Sequence, residues 1–257
     1  MKKKILLALP LVAIPLVWVL LFPVHRDNGT QKRDYPEIKS SGILNIVTEY
    51  NLIDYYVSGD SVAGLQYSLC KYLEQCSGLK VKIHLENNLN TCISRLENND
   101  FDVIARHIPV TTESKNRFVF TVPIARSKQV LVQRKASGND STAYIHTQID
   151  LANKTLHVPK NSPVIFRLEN LSEEIAEPIH IEEISDYTAE QLIYMVSDGY
   201  IDYAVVDNEI ARKNLPLFPN IDIRIDISFT QFQAWAVRES APALLDSLNR
   251  WLPGYRP

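Results

Sequence analysis

The chain has 257 residues, of which 46% are apolar and 22% are charged, and this composition is typical of a soluble globular protein. Its formal net charge is −3, and because Lys2, Lys3 and Lys4 supply three positive charges, the rest of the chain carries −6. A net charge this negative argues against binding to nucleic acid. The glycines form neither G-x-G-x-x-G nor G-x-x-x-x-G-K-[ST], which argues against a dinucleotide cradle and a P-loop. The length allows one large domain or two medium lobes.

The N-terminus contains a run of 20 uncharged residues, from Ile5 to Val24, directly after the three lysines. A helix of that length spans about 30 Å, which matches the hydrocarbon core of a bilayer. By the positive-inside rule the lysines stay in the cytoplasm, so residues from His25 onward are expected in the periplasm. We therefore expect residues 1–24 to be a single-pass anchor in the inner membrane. A cleaved signal peptide is the alternative, although the run is long for one and no A-x-A site follows it.

The next segment, residues 25–41, is polar and shows no apolar period, so it is expected to be a linker. Folded structure is expected from Gly42, where apolar residues begin to recur at strand and helix spacing. The first half then predicts a βαβαβ unit. Its elements are a strand at 43–48, a helix at 62–76, a strand at 79–85, a helix at 89–96 and a strand at 101–105.

The second half repeats this pattern. Strands are predicted at 155–158, 179–184 and 201–206. One helix is expected to begin with Ser162 as its N-cap and Pro163 as its first residue. A second helix is expected to begin at the capping box of Thr188 and Gln191 and to end at Gly199. Both units end alike, with a helix, a turn, an apolar residue and then an aspartate, Asp102 or Asp202, before a strand. Turn capping is the expected role of these two aspartates. Two similar α/β lobes are therefore predicted.

Two further extended segments, residues 129–135 and 229–238, are expected to cross between the lobes. Lobe 1 would comprise residues 42–128 plus 233–257, and lobe 2 residues 129–232. A two-strand hinge of this kind suits closure around a ligand.

Three cysteines, Cys70, Cys76 and Cys92, form neither C-x-x-C nor a zinc-like grouping with the histidines, so we expect no metal site. Cys70 and Cys76 lie on one predicted helix, too far apart along its axis for a bridge. Two interpretations stay open. Either Cys70 or Cys76 forms a disulfide with Cys92, or all three thiols are unpaired and buried.

Several short motifs follow one another in order across both lobes. They are Gly64-Leu65-Gln66-Tyr67-Ser68-Leu69, the helix-turn-strand from Leu96 to Ala105, Thr111-Thr112-Glu113, Phe120-Thr121-Val122-Pro123 and Tyr203-Ala204-Val205-Val206-Asp207. Together these motifs resemble the family 3 extracellular solute-binding proteins over residues 42–252. More narrowly, the chain is similar to the non-catalytic binding half of membrane-bound lytic murein transglycosylases. The resemblance implies a two-lobed, type II periplasmic-binding fold that closes on a small ligand, often amino-acid-like or peptide-like.

Candidate ligand-binding residues in lobe 1 follow its strands, because ligands of open α/β sheets bind at the carboxyl ends of the strands. Glu49, with Tyr50 beside it, follows the first strand, where the resemblance implies an acidic residue near a ligand ammonium group; a solvated loop carboxylate is equally open. Arg106 and His107 stand where family members commonly present hydroxyl groups; a surface arginine and a hydrogen-bonded histidine are the alternatives. Tyr55 is a candidate to stack on the ligand, or a rim aromatic.

In lobe 2, Ser162 begins a helix whose free N–H groups can hold an anion, although capping alone also explains it. Asp207 matches the ammonium-binding aspartate that the resemblance implies, and it is the strongest single candidate. The arginine that binds the ligand carboxylate in the family belongs directly after Glu113, but this chain has Ser114 there. A free amino acid is therefore a doubtful ligand, and a peptidoglycan fragment gains weight.

No catalysis is expected, because the sequence shows no room after Val237 for the lysozyme-like catalytic domain of such transglycosylases. We expect a membrane-tethered, periplasmic binding protein for a small molecule that uses no cofactor and no metal. The alternative is a regulatory or vestigial half of a transglycosylase system that acts through a protein partner. An importer is a further possible partner.

Overall fold

The computed structural model describes residues 33–136, 144–185 and 187–256. The predicted membrane anchor and the first part of the predicted linker lie outside these residues. Within the described ranges, no helix combines the length and the apolar character needed to cross a membrane.

Lobe 1 contains most of the first half of the chain. Its elements are α1 (Tyr35–Ser41), β1 (Ile43–Thr48), β2 (Tyr56–Ser58), β3 (Ser61–Ala63), α2 (Leu65–Ser77), β4 (Lys80–Leu85), α3 (Leu89–Glu97), β5 (Val103–Pro109), α4 (Thr112–Lys115), β6 (Val119–Phe120) and β7 (Ala125–Ser127).

Lobe 2 follows, and the chain then returns to lobe 1. The elements of lobe 2 are β8 (Gln129–Arg134), β9 (Thr155–Pro159), α5 (Val164–Ile175), β10 (His180–Ile184), α6 (Ala189–Asp198), β11 (Tyr203–Asp207), α7 (Asn208–Asn214) and β12 (Ile221–Asp222). The returning elements are β13 (Gln231–Val237) and α8 (Pro242–Trp251).

Each lobe is built on its own sheet. The strand order is β4-β1-β5-β13-β6 in lobe 1, with β7 also on β13, and β10-β9-β11-β8-β12 in lobe 2. In each sheet three strands are parallel, and the next, β13 or β8, runs antiparallel to them. Apolar clusters cover the sheets, and parallel strands are typically buried in this way. The two-lobed α/β fold predicted from the sequence is confirmed.

The crossing between the lobes is made of two neighbouring backbone segments. Strand β7 pairs antiparallel with β13, so that Ser127 lies opposite Gln231 and Ala125 opposite Gln233. The chain enters lobe 2 directly after β7 and leaves it directly before β13. The lobe boundaries given above stay predictions, but the two crossings lie side by side, as a hinge requires.

Residues 35–41 were expected to belong to the linker, and this is wrong, because they form α1. Asp34 and Glu37 make a capping box, and Gly42 ends the helix in the left-handed conformation, with φ 70°. Ile38 is fully buried in the core of lobe 1. A helix of two turns that buries one apolar residue shows no apolar period, so only its capping residues predict it.

Helix α2 begins at Leu65, three residues later than the apolar spacing suggested. Gly64 precedes it with φ 127°, and a Cβ there would lie 2.2 Å from the carbonyl oxygen of Asp54. That carbonyl accepts hydrogen bonds from the backbone N–H groups of Gln66 and Tyr67, at 3.1 and 3.2 Å. The close approach fixes the loop of residues 51–55 on the N-terminus of α2.

The cysteines Cys70, Cys76 and Cys92 are all unpaired, so no disulfide joins them. Cys70 and Cys92 are buried, whereas Cys76 is exposed. Burial raises the pKa of the Cys70 thiol to about 12, so this residue behaves as a small apolar side chain.

Candidate ligand-binding cleft

A cavity of about 370 Å³ lies between the two lobes. Its walls include the ends of β1 and β5 from lobe 1 and of β9 and β11 from lobe 2. These are the carboxyl ends of parallel strands, where open α/β sheets bind ligands. Five of the seven candidate residues line it, namely Glu49, Arg106, His107, Ser162 and Asp207.

The other two candidates, Tyr50 and Tyr55, are not on the cavity wall. The Tyr50 side chain is exposed, and its backbone N–H donates to Asn87 Oδ1 at 3.1 Å. The Tyr55 ring packs edge-on against Tyr67, with ring centroids 5.8 Å apart. Both tyrosines therefore belong to the loop structure around the cleft in this conformation.

Glu49 and Arg106 form an ion pair on the lobe 1 wall. Glu49 directly follows β1, and Arg106 lies within the neighbouring strand β5; one guanidinium nitrogen of Arg106 contacts Glu49 Oε2. A second nitrogen donates to the carbonyl oxygen of Asn87 at 3.0 Å. Burial raises the pKa of Glu49, against the lowering effect of Arg106, and the nearby Asp54 carboxyl adds to the rise. Burial is the largest influence on Arg106 and lowers its pKa, but Glu49, Cys92 and Asp54 together outweigh burial, so that the pKa of Arg106 is raised.

His107 lies beside this pair and faces the buried carboxyl group of Asp54. The distance from His107 Nδ1 to Asp54 Oδ1 is 3.4 Å. Asp54 is fully buried and accepts hydrogen bonds from Asn51 Nδ2 at 3.0 Å and Gln66 Nε2 at 3.1 Å. Gln66 in turn accepts from Trp235 Nε1 at 2.7 Å. Sequence analysis missed Asp54, because only the loop of residues 51–55 brings it to the histidine.

Asp207 is the acidic group of the lobe 2 wall. One oxygen, Oδ1, caps helix α7 by accepting from the backbone N–H of Glu209 at 2.9 Å. The other, Oδ2, is buried and has no hydrogen-bond partner. Burial raises the pKa of Asp207, while the hydroxyl of Ser127 and the ring of His107 oppose the rise. Ser127 Oγ is also without a partner, so it lies near the carboxylate without the geometry of a hydrogen bond.

The start of helix α5 forms another part of the lobe 2 wall. Ser162 was expected as the N-cap and Pro163 as the first helical residue, and both positions are wrong by one residue. Pro163 is the N-cap, and Val164 is the first helical residue. Ser162 Oγ lies 3.5 Å from the backbone nitrogen of Val164, which is at the limit of a hydrogen bond. The preceding Lys160 is exposed and lines the cavity, so this turn presents the main positive charge of lobe 2 to the cleft.

Ser114 does not replace the missing arginine. Its hydroxyl donates to the carbonyl oxygen of Pro109 at 2.7 Å and accepts from the backbone N–H of Thr111 at 2.9 Å. The neighbouring cations Lys115 and Arg117 line an adjoining groove and do not line the cavity of about 370 Å³. Among the described residues that line the cavity, none provides an unpaired guanidinium group for an α-carboxylate.

The two lobes touch directly at the loop of residues 51–55. The backbone N–H of Leu52 donates to Glu190 Oε1 on α6 at 2.8 Å. Ile53 packs against the apolar cluster of lobe 2 that contains Leu192 and Ile193. The cleft is therefore closed at this edge. These contacts could not be read from the sequence, because Glu190 has the pattern of an ordinary first-turn glutamate.

The fold and the cleft define a two-lobed α/β solute-binding protein. Residues 44–255 match the bacterial extracellular solute-binding proteins, family 3, and the chain belongs to this family. The resemblance inferred from the sequence is thereby confirmed.

Among curated proteins, the chain is similar to membrane-bound lytic murein transglycosylase F. The enzyme of Ectopseudomonas mendocina is 29% identical over 214 residues, which are 82% of this chain and 42% of that protein. The enzyme of Desulfosudis oleivorans is 27% identical over 245 residues, which are 93% of this chain and 52% of that protein. The chain thus spans about half the length of the curated relatives it matches.

Among solved structures, the chain is similar to holo ArgBP from T. maritima, with a TM-score of 0.71 and 24% identity over 85% of this chain and 92% of that one. An ancestral arginine-binding protein bound to arginine has a TM-score of 0.70 and 22% identity, covering 83% of this chain and 92% of that one. These likenesses show the fold.

Proposed function

We propose that the chain is a periplasmic binding protein that residues 5–24 hold in the inner membrane, and that it recognises a small ligand by closure of its lobes. The ligand is amino-acid-like, a peptide or a peptidoglycan fragment. One observation carries this proposal: ionisable groups from both lobes converge on one cavity, and Asp207 Oδ2 has no hydrogen-bond partner there.

The size of the cavity supports a small ligand. Pockets for small molecules have volumes of about 300 to 1,000 Å³, and this one has about 370 Å³. That volume suits an amino-acid-sized group, while the adjoining groove of about 720 Å³ leaves room for a longer ligand to continue. The similar structures include a protein bound to arginine, which favours the same class of ligand.

The mechanism is a shift between open and closed forms, with no covalent step. Closure brings Asp207 of lobe 2 opposite His107 and Arg106 of lobe 1, and it forms the contact between Leu52 and Glu190. A ligand that touches both walls binds only the closed form fully, and it therefore stabilises that form.

The alternative is a non-catalytic, regulatory half of a peptidoglycan-cleaving system that acts through a protein partner. The relatives named transglycosylases favour it, since the chain corresponds to about half of their length. Ser114, in place of a carboxylate-binding arginine, also favours it. In this case the cleft need not hold a free small molecule.

Thermal unfolding of the full chain in detergent distinguishes the two. A panel of amino acids, dipeptides and muropeptides is added to the wild type, Asp207→Asn and Asp202→Asn. A ligand at a hundredfold its Kd stabilises the wild type by about 2.7 kcal/mol. Asp207→Asn should lose this response, and Asp202→Asn, with the same chemical change outside the cavity, should keep it. A flat wild-type response across the panel contradicts a small ligand and supports the partner-binding alternative.

The membrane attachment has a separate test. The full chain should remain in the membrane fraction after alkaline extraction, whereas a variant with two charged residues in the run from Ile5 to Val24 should be released. Release of the wild-type chain would contradict the anchor.

A further inference from the structure

One loop of lobe 1, residues 51–55, reaches across to lobe 2, and we call it the strap. Its tip makes two contacts there. Leu52 donates its backbone N–H to Glu190 Oε1 at 2.8 Å, and the Ile53 side chain packs against an apolar cluster of lobe 2. That cluster contains Leu192 of α6, the helix that also carries Glu190. The hydrogen bond and the apolar contact therefore join the strap to the same helix.

The shape of the strap is set within lobe 1. Asn51 Oδ1 accepts from the backbone N–H groups of Ile53, at 2.8 Å, and Asp54, at 2.7 Å. Leu65 and Gln66, at the start of α2, donate their backbone N–H groups to carbonyl oxygens of the strap at 2.7 and 3.1 Å. These bonds do not involve lobe 2, so the strap keeps its shape when the lobes separate. Little conformational entropy is then lost when its tip contacts lobe 2.

The tip depends on lobe 2 for its partners. Within the described part of the chain, Glu190 is the acceptor for the Leu52 N–H. When the lobes separate, that N–H returns to water, and the Ile53 side chain loses its apolar contact. A hydrogen bond to a charged group and the burial of apolar surface each stabilise the closed form. This stabilisation comes from protein groups alone and does not depend on a ligand.

The strap and Glu190 stand outside the described residues that line the cavity. Thr188 and Ala189, directly before Glu190, do line it, so the strap holds α6 beside the cavity wall. Its effect on binding must therefore act through the position of the lobes. A ligand that binds only the closed form has an apparent Kd equal to its intrinsic Kd divided by the closed fraction.

We propose that Ile53 and Glu190 are affinity-determining residues: through them the strap holds the lobes closed and sets the affinity of the cleft without contacting the ligand. The proposal rests on the proposed function, since it concerns closure around the same cavity. Ile53→Ala and Glu190→Ala should each lower the ratio of closed to open protein about 10-fold, and the double variant about 100-fold. Glu190→Gln keeps an acceptor and should lose less.

Distances between spin labels on the two lobes test the closure. The full chain is studied in detergent, with one label on the native Cys76, which is exposed on α2, and the other on Lys213→Cys, at an exposed position of α7. The wild type should give one distance, and the double variant Ile53→Ala, Glu190→Ala should populate a second, longer one. The same distance distribution in both proteins would overturn the proposal.

Matched controls make the same chemical changes away from the contact. Val57→Ala truncates an apolar side chain that is 56% exposed on β2, next to the strap in sequence. Glu173→Ala removes an exposed glutamate from α5 of lobe 2. Both variants should give the wild-type distance. If they open the lobes as much as the double variant does, the role assigned to the strap is wrong.

Hydrogen exchange at the Leu52 amide gives a second readout. Ile53→Ala leaves the acceptor in place, so this amide should exchange about 10-fold faster only because the lobes open more often. The Gln66 amide, which is bonded within lobe 1, should be unchanged. Faster exchange at Leu52 without a longer distance in the double variant would mean that the strap is a local contact, and this would overturn the proposal.

Failure of the inference and failure of the proposed function give different results. Any ligand from the thermal panel should bind the double variant more weakly, by up to about 100-fold. If such a ligand binds both proteins equally, the cleft is a binding site and the role of the strap is wrong. If the double variant opens and the panel is flat, the strap holds the lobes closed and the proposed small ligand is wrong.

Discussion

The two lobes contain the same arginine clamp in two different environments. In lobe 1, Arg238 follows β13 and donates to the carbonyl oxygens of Leu96, at 3.0 Å, and Phe101, and to Asp102 Oδ1 at 3.2 Å. In lobe 2, Arg134 is the last residue of β8. It donates to the carbonyl oxygens of Val196, at 3.0 Å, and Ile201, at 2.8 Å, and to Asp202 Oδ1. Each arginine joins the end of a helix, the following turn and the aspartate before the next strand.

Burial separates the two clamps. The Asp102 side chain is fully buried. It also accepts hydrogen bonds from Arg33 Nε at 2.7 Å and from the backbone N–H of Asn45 at 2.9 Å, so it joins several segments of lobe 1. The Asp202 side chain is 64% exposed. Burial lowers the pKa of Arg238, although Asp102 opposes this. The same hydrogen bonds should therefore matter much more in lobe 1 than in lobe 2, because water competes for those of lobe 2.

The largest expected effect is that of Asp102→Asn. It removes the buried carboxylate between Arg33 and Arg238 and leaves two guanidinium groups without their counter-charge, which costs about 3 to 5 kcal/mol. The matched change, Asp202→Asn, should cost less than about 1 kcal/mol because its ion pair is exposed. Urea unfolding of both variants measures the difference. Equal losses would mean that burial does not distinguish the clamps.

A smaller effect is expected for Asp34→Ala, which tests a second feature confined to lobe 1. Asp34 caps α1 and also accepts from the backbone N–H groups of Ala243, at 3.2 Å, and Leu244, at 2.8 Å, at the start of α8. Losing two caps should cost about 2 kcal/mol, whereas Thr188→Ala, which removes the single cap of α6, should cost about 1 kcal/mol. Thermal unfolding checks this order. A milder effect for Asp34→Ala than for Thr188→Ala would show that the second cap contributes nothing.

The smallest effect is expected for Asp207→Asn in the absence of ligand, and its sign is opposite to that of Asp102→Asn. Because burial raises the pKa of Asp207, the ionised group destabilises the folded state at neutral pH. This penalty disappears as pH falls through the raised pKa toward the unfolded value. Asparagine keeps the helix cap, so the variant should have a slightly higher Tm at neutral pH.

The pH dependence is the check on that prediction. The difference in Tm between Asp207→Asn and the wild type should be largest near neutral pH and should shrink on acidification. A difference that grows in acid would show that the carboxylate is stabilised by a partner in the fold.

Much of the fold could be predicted from the local pattern. Alternation and helical spacing predicted β1, β4, α3 and α6, and the capping box of Thr188 and Gln191 with Gly199 bounded α6 correctly. Helix α1 was missed because a single buried residue gives no period, although its capping box was visible. The repeat of Asp102 and Asp202 was recognised, but turn capping was the wrong explanation, since the arginines that bind them lie more than 60 residues away in the chain.

The candidate site divides in the same way. Residues directly after predicted strands, such as Glu49, Arg106 and Asp207, could be proposed, because parallel strands bring their carboxyl ends together. Tyr50 and Tyr55 lie outside the cavity, and Asp54 and Glu190 could not be found. Their positions depend on how one loop folds against α2 and against the other lobe, and no local spacing encodes that.

The sequence by itself determined the alternation of strands and helices, their division into two lobes and the strand ends at which side chains meet. These follow from the period of apolar residues and from capping chemistry, which act over a few residues. Only the tertiary structure decided which charges are paired. The free energy of a charge depends on its burial and on partners distant in the chain, so Asp102, Asp202 and Asp207 look alike in sequence and differ in the fold.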